Sequence, residues 1–174
     1  SRAGPSHCSL ACFIWRVRLM SVFLANLATL GPIGRYLPAP GTAGSVAALI
    51  VGYSLAKNGF FILFSAVLLA TILGVFAADA HSRLTNTKDA GEVIIDEVAG
   101  QWLVLLCIPP NIDLALLWYG AGFILFRLFD ILKPWPVSAA ERLTGGIGVM
   151  ADDLVAGTLA GMVLLMAQFF IYPA

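Results

Sequence analysis

Charge is what this chain has least of. Only 11% of its 174 residues are Asp, Glu, Lys or Arg, where a soluble domain carries about a quarter. With 60% of the residues apolar, a water-soluble fold is excluded, because one core of this size cannot hide so much apolar surface. The formal net charge is zero, and no basic amphipathic stretch or aromatic platform for bases occurs, which excludes nucleic acid as a partner. Cysteine is scarce too. Cys8, Cys12 and Cys107 are an odd number in apolar surroundings without metal-type pairing, so they are expected as small buried apolar residues and not as a disulfide framework. Outside the N-terminal tail His81 is the lone histidine. It has no Ser or Cys partner at a recognisable spacing and is expected at the surface. A GxSxG elbow, a zinc pattern, a P-loop, a dinucleotide fingerprint, internal repeats and low-complexity tracts are all missing.

What the chain does have is long charge-free runs, at 19–34, 36–56, 60–78, 98–112, 114–126 and 154–174. At about 1.5 Å per residue, 60–78 and 154–172 each reach roughly 28 Å, close to the thickness of membrane hydrocarbon. These two are expected to cross the membrane. Candidate helices run 8–30, 42–56, 60–79, 94–107, 114–132 and 152–172, separated by turn-forming Gly, Pro and Asn or by polar stretches. Residues 1–7 lack an initiator Met and a helical pattern, and are read as a cloning scar or a processed, disordered end. The remainder, 8–174, is expected to be a single all-α domain: a polytopic membrane helical bundle of about five to six helices, some short or re-entrant. Arg16 and Arg18 interrupt the first of them, which is therefore expected to lie at the interface or to cross only partly.

Positive charges orient the bundle. If the helices from Thr42 onward alternate, then Arg16, Arg18 and Arg35, the loop with Arg83 and Lys88, and the loop with Lys133 and Arg142 share one side. The other side receives only Lys57. The first side is therefore expected to be cytoplasmic.

None of the ten acidic residues precedes Asp79. Under this topology Asp79, Asp89, Glu92, Asp96, Glu97, Asp130, Glu141, Asp152 and Asp153 lie near the cytoplasmic surface and Asp113 lies opposite. An Asp before an apolar helix is ordinarily an N-cap, and acids suit a helix's first turn. That reading fails for Asp130, which closes a helix where the dipole disfavours an anion, and for the doubled acids, since one cap needs one carboxylate. An unpaired Asp costs roughly 2.5–3.5 kcal/mol at mid-membrane, so such a cluster belongs at an interface. Like charges held close need a counter-ion, and a hard divalent cation is the usual one. Arg127, Asp130 and Lys133 recur every three residues and roughly share a helical face, offering metal and phosphate contacts together. Snorkelling is the plainer alternative for the two cations, and Trp135 is expected as an interfacial anchor. Two glycine-rich turns, 40–45 and 145–148, let backbone amides approach an anion, although glycines in membrane proteins serve close packing more often.

Pro40-Gly41-Thr42 with Gly44-Ser45, Asp96-Glu97 with Gly100, Phe126-Arg127 with Asp130 and Lys133-Pro134-Trp135-Pro136, and Gly145-Gly146 through Gly148 to Asp152-Asp153 with Gly157 together resemble the phosphatidylglycerophosphatase A family of bacterial membrane proteins. The resemblance runs from about Gly31 to the end and does not cover the residues before it. It implies a helical, multi-pass enzyme of the bacterial inner membrane with its active site on the cytoplasmic side, converting phosphatidylglycerophosphate to phosphatidylglycerol with magnesium. It places the family's shared acids on Asp96, Glu97, Asp130, Asp152 and Asp153, with Asp89 and Gly91 matching a looser element. On residue type, the same acids are the candidate metal ligands. Asp96, Glu97, Asp130, Lys133 and Asp153 are the candidate catalytic residues. Thr42, Gly44, Ser45, Arg127 and Lys133 are the candidates for holding phosphate. Partners are expected to be the phospholipid substrate, with self-association open. Two other readings are an ion-coupled transporter or channel built on the acids and a scaffold for other lipid enzymes; the lack of repeats and the surface position of the acids weigh against the transporter.

Overall fold

The structure, a computed structural model, describes residues 6–31, 39–86 and 92–172, with the side chains of 6–14 and 17 excepted. Arg35, Lys88, Asp89 and Gly91, and the side chains of Cys8 and Cys12, lie outside the described residues. The elements are α1 (Ser6–Ala28), α2 (Pro40–Lys57), α3 (Phe60–Thr85), α4 (Ile95–Leu105), α5 (Ala115–Leu132), α6 (Val137–Ala140) and α7 (Gly145–Ile171). The chain is an all-α membrane bundle. Six of its helices cover the expected segments, and the short α6 adds a seventh.

The ends of these helices follow from local chemistry. Pro40 opens α2, at a position where its missing N–H is no loss. Asn86, with φ 56°, closes α3 in the left-handed conformation that asparagine tolerates. Lys133, with φ 43°, closes α5 immediately before Pro134. Among the described residues, three helices, α3, α5 and α7, are long and apolar enough to cross a membrane. Their outward side chains, Phe61, Leu116 and Phe170 among them, are exposed, which suits hydrocarbon. With 11 residues, α4 extends only about 16 Å and is too short to cross.

Three expectations need correcting. The last helix starts at Gly145 and not at residue 152: the glycines read as a turn form its first turns. Gly146 lies so close to α3 that an added Cβ would collide with the Val75 carbonyl, and this packing outweighs glycine's helix penalty of about 1 kcal/mol. Asp152 and Asp153 are consequently interior to α7, where N-capping has no meaning. Next, α3 continues to Thr85, so His81 shares the inward face of Ala77 and Ala78 instead of lying at the surface. It is 2% exposed, with Nε2 3.9 Å from Glu92 Oε2. Third, Arg16 and Arg18, expected on the same side as the acids, stand at exposed positions within α1, more than two turns before its end at Ala28.

One end of the bundle collects what matters. The Ile94 amide donates to Ala28 O at the end of α1 (3.0 Å). The start of α2 meets the start of α4 where Gly41 abuts Glu97, and the end of α3 meets the start of α7 where Gly145 approaches Asp79. Lys133 at the end of α5 reaches Asp152 of α7. At the opposite end Tyr172 Oη donates to Asp113 O (3.2 Å), and Gln168 Nε2 donates to Cys107 O (3.0 Å).

Candidate active site

The site rests on a close approach of two backbones. A Cβ on Gly157 of α7 would stand 2.5 Å from Gly100 O, and one on Gly100 would stand 2.7 Å from Asp153 O. Nothing larger than hydrogen fits between α4 and α7 there. One turn toward the acidic end, the carboxylates of Asp96, Glu97 and Asp153 therefore meet, with one oxygen of each lying within 4.8 Å of the others.

Burial makes this meeting expensive for bare anions. Asp96 is 8% and Asp153 4% exposed. Burial pushes the Asp96 carboxyl up to about 6, even though its hydrogen bonds with Glu97 act the other way. Glu97 is pushed well above the usual range, first by burial and then by the Asp96 charge. Its Oε2 is buried and has no hydrogen-bond partner among the described residues. Three converging carboxylates with an oxygen to spare form a hard, anionic donor set that fits a divalent cation of the magnesium or calcium kind.

The other two expected ligands are engaged by cations. Asp130 Oδ2 accepts from Arg127 Nη1 at 2.6 Å, and Asp152 Oδ2 accepts from Lys133 Nζ at 2.8 Å. Lys133 also donates to Glu141 Oε1 at 2.7 Å. Burial alone would lower the Lys133 pKa, but its bonds to Asp152 and Glu141 outweigh that and hold it above the ordinary lysine range. The left-handed cap turns Lys133 toward α7, so it does not stand in line with Arg127 and Asp130 as the three-residue spacing suggests.

Arg127 links the acids to the glycine-rich turn. Its Nη1 lies 3.8 Å from Glu97 Oε1 and donates to Ser45 Oγ at 3.4 Å, while Ser45 Oγ donates to Gly41 O at 2.8 Å. A Cβ on Gly41 would overlap Glu97 Oε1 and stand 3.3 Å from Arg127 Nη2, so the missing side chain keeps this cradle open. Gly41 and Thr42 lie in the first turn of α2, where the amides of an α-helix have no partner within the helix. Thr42 is exposed. Gly44 packs on the Ile94 side chain. Trp135 is fully outward, as an interfacial anchor would be.

Two residues near the site were given no role by the sequence. Glu141 sat in a polar stretch, and its pairing with Lys133 depends on α6. Gln101 is 0% exposed, and neither amide atom has a hydrogen-bond partner among the described residues. Its signal was an amide in an apolar run four residues after Glu97, which places it on the Glu97 face one turn deeper.

Comparison with known proteins supplies independent findings. The family model described as Phosphatidylglycerophosphatase A matches residues 26–168. The chain is 35% identical to Phosphatidylglycerophosphatase A of Escherichia coli (strain K12), over 72% of this chain and 72% of that protein. It is 38% identical to Phosphatidylglycerophosphatase A of Haemophilus influenzae, over 76% of this chain and 81% of that protein. A protein of Bacteroides thetaiotaomicron named Putative phosphatidylinositol-3-phosphatase is 37% identical, over 76% of this chain and 86% of its own length. No solved structure matches the chain.

Proposed function

This chain belongs to the phosphatidylglycerophosphatase A family, and on that premise we propose that it hydrolyses the terminal phosphomonoester of phosphatidylglycerophosphate, using magnesium, to give phosphatidylglycerol and phosphate. The observation that supports this reading best is the meeting of Asp96, Glu97 and Asp153 within 4.8 Å, beside two cations, at one end of a membrane bundle. No observation favours a transporter.

Asp96, Glu97 and Asp153 would hold the ion, with Asp130 and Asp152 at its margin. When bound, magnesium supplies charge neutralisation at the phosphate and activation of a water nucleophile. The chain's own groups do the rest. Arg127 presents a planar donor fork that suits phosphate oxygens, and Asp130 and Ser45 hold that fork in place. Lys133, kept charged by Asp152 and Glu141, adds a second positive charge. The Gly41 and Thr42 amides point the positive end of α2 at the same anion. In the reaction water oxygen bonds to phosphorus, the bond from phosphorus to the glycerol oxygen breaks, and that oxygen leaves with a proton. Such hydrolysis is among the slowest uncatalysed reactions, so a preorganised charge clamp accounts for most of the acceleration. The cytoplasmic face of the inner membrane, where this substrate's headgroup would be met, is part of the proposal.

The test is phosphate release by the detergent-solubilised protein from phosphatidylglycerophosphate, phosphatidylinositol 3-phosphate and phosphatidic acid, with magnesium or with a chelator. Magnesium-dependent release that is fastest from phosphatidylglycerophosphate is expected. A preference for the inositol lipid would move the substrate assignment toward the Bacteroides relative's name, and release unaffected by chelator would sink the metal assignment.

A further inference from the structure

Beneath the candidate site, a groove of ≈ 480 Å³ opens between α2 and α5, lined by Leu49, Ile50 and Tyr53 on one side and Leu116, Tyr119 and Gly120 on the other. Its volume is in the range of ligand pockets, and its walls are overwhelmingly apolar. Ile50 and Leu116 at its rim are 65% and 85% exposed, so it opens sideways, toward hydrocarbon. We propose that this groove seats one acyl chain of the lipid whose phosphomonoester lies at Arg127, and that the substrate reaches the site laterally, between α2 and α5.

Three observations carry the proposal. The first is alignment. The two helices that form the groove also carry the phosphate contacts, Ser45 on α2 and Arg127 on α5, 3.4 Å apart. At about 1.5 Å per residue, Leu49 and Tyr53 lie roughly 6 and 12 Å below Ser45, and Gly120 and Leu116 roughly 10 and 16 Å below Arg127. One leaflet of hydrocarbon is about 15 Å deep, so the groove covers the depth an acyl chain occupies when its headgroup is at Arg127.

The second is the role of Gly120. Two residues on, Gly122 lies in close contact with Val104, and on α2 Gly52 is pressed against Trp102 and Leu105; an added Cβ at Gly120 meets nothing within 4 Å. Its small size is therefore not used for helix packing. What it leaves is free width in the groove.

The third is the occupant: a helix is about 10 Å across, and Tyr53 and Tyr119 already meet edge to face across the groove with ring centroids 5.1 Å apart, so a second copy of the chain is a poorer occupant than a flexible chain of methylenes lying along it. An amphiphile with an anionic head is also the ligand that matches a guanidinium above an apolar channel. Because the substrate already resides in lipid, the groove contributes little net transfer energy. Its contribution is orientation: a seated chain holds the phosphate beside Arg127.

The inference rests on the lipid phosphatase reading, and the experiment separates the two. Wild type, Gly120→Ala and Gly120→Phe are assayed on dioleoyl phosphatidylglycerophosphate and on its water-soluble headgroup without acyl chains. Gly120→Phe is expected to lose roughly tenfold or more in kcat/KM on the lipid while staying within about twofold on the headgroup, with Gly120→Ala between. Equal losses on both substrates, or no loss on either, overturn the groove. Wild type silent on both substrates sinks the phosphatase reading, and the groove with it. A measurement that needs no variant backs this up: a phosphatidylglycerophosphate carrying a photoreactive group midway along one acyl chain should label the segments around Tyr53 and Leu116, and unlabelled lipid should compete. Labelling spread over the outward faces of α3 and α7, or Gly120→Phe turning a dimer into a monomer without lipid labelling at the groove, overturns the proposal.

Discussion

Gly157 lies against the carbonyl of Gly100, with room for no Cβ: one built there stands 2.5 Å from that oxygen. The obstacle is backbone and cannot swing aside, so a side chain at 157 has to push α4 and α7 apart. The Asp96–Glu97 pair is on one of these helices and Asp153 is on the other. Gly157→Val is expected to cost about 1–3 kcal/mol of stability and to remove most phosphate release. Thermal unfolding in detergent and the phosphatase assay check the two effects together; a variant with wild-type activity would mean that the close approach is not what assembles the site.

Asp153→Asn should separate the metal's contribution from the fold's. It deletes one of three mutually repelling buried carboxylates, so the metal-free variant is expected to melt at or above the wild-type temperature. Phosphate release should fall roughly a hundredfold or more, and magnesium, expected to raise the melting temperature of the wild type, should not raise that of the variant. A variant that magnesium still stabilises would take Asp153 out of the ligand set.

Asp96 sets a pH dependence whose sign is unusual for a carboxylate. Its folded pKa is raised from 3.8 to about 6, so the folded metal-free protein holds this proton more tightly than the unfolded chain does. The stability this gives is complete below about pH 4 and is lost as pH rises through 6. Metal-free protein is therefore expected to melt lower at pH 7 than at pH 5, and magnesium to close the gap. Asp96→Asn should weaken the dependence between those two pH values, with Glu97, also raised by burial, supplying what remains.

Lys133 and Glu141 form a pair whose members are predicted to differ in importance. Glu141 is half-exposed, and such pairs contribute about 0–1 kcal/mol, so Glu141→Gln should change kcat/KM by no more than about threefold. Lys133→Gln removes the charge proposed to meet phosphate and is expected to lose roughly a hundredfold. Lys133→Arg should recover only part of this, because the planar fork does not reproduce a compact ammonium held between two carboxylates. Steady-state kinetics on the three variants decides it.

Much of the helical layout was legible because apolar runs and their Gly, Pro and Asn punctuation are local properties. The bounds expected for α2, α4 and α5 fall within two residues of the observed ones. The start of α7 was missed for a nonlocal reason: Gly145, Gly146 and Gly148 look like a turn until the α3 backbone is placed against them. The end of α3 was missed because polar residues from His81 onward read as loop, although only one face of the continuing helix needed to be apolar. At the site the rare charges stood out against an apolar chain, and doubled acids and an acid at a helix C-terminus marked themselves as unusual. Which acids converge and which pair with Arg127 or Lys133 was not legible. Neither were Gly41 and Gly120, whose roles depend on what faces them.

Composition and order alone determined that the chain is a helical membrane protein and that Asp96, Glu97 and Asp130 fall near helix ends, since hydrophobicity, helix rise and turn chemistry act over a few neighbouring residues. Only the tertiary structure decided that Asp96, Glu97 and Asp153 share one point, that Arg127 bridges to Ser45, and that α2 and α5 leave a channel below them. Those outcomes depend on the rotation and spacing of helices far apart in the chain, and these are set by where backbones can touch.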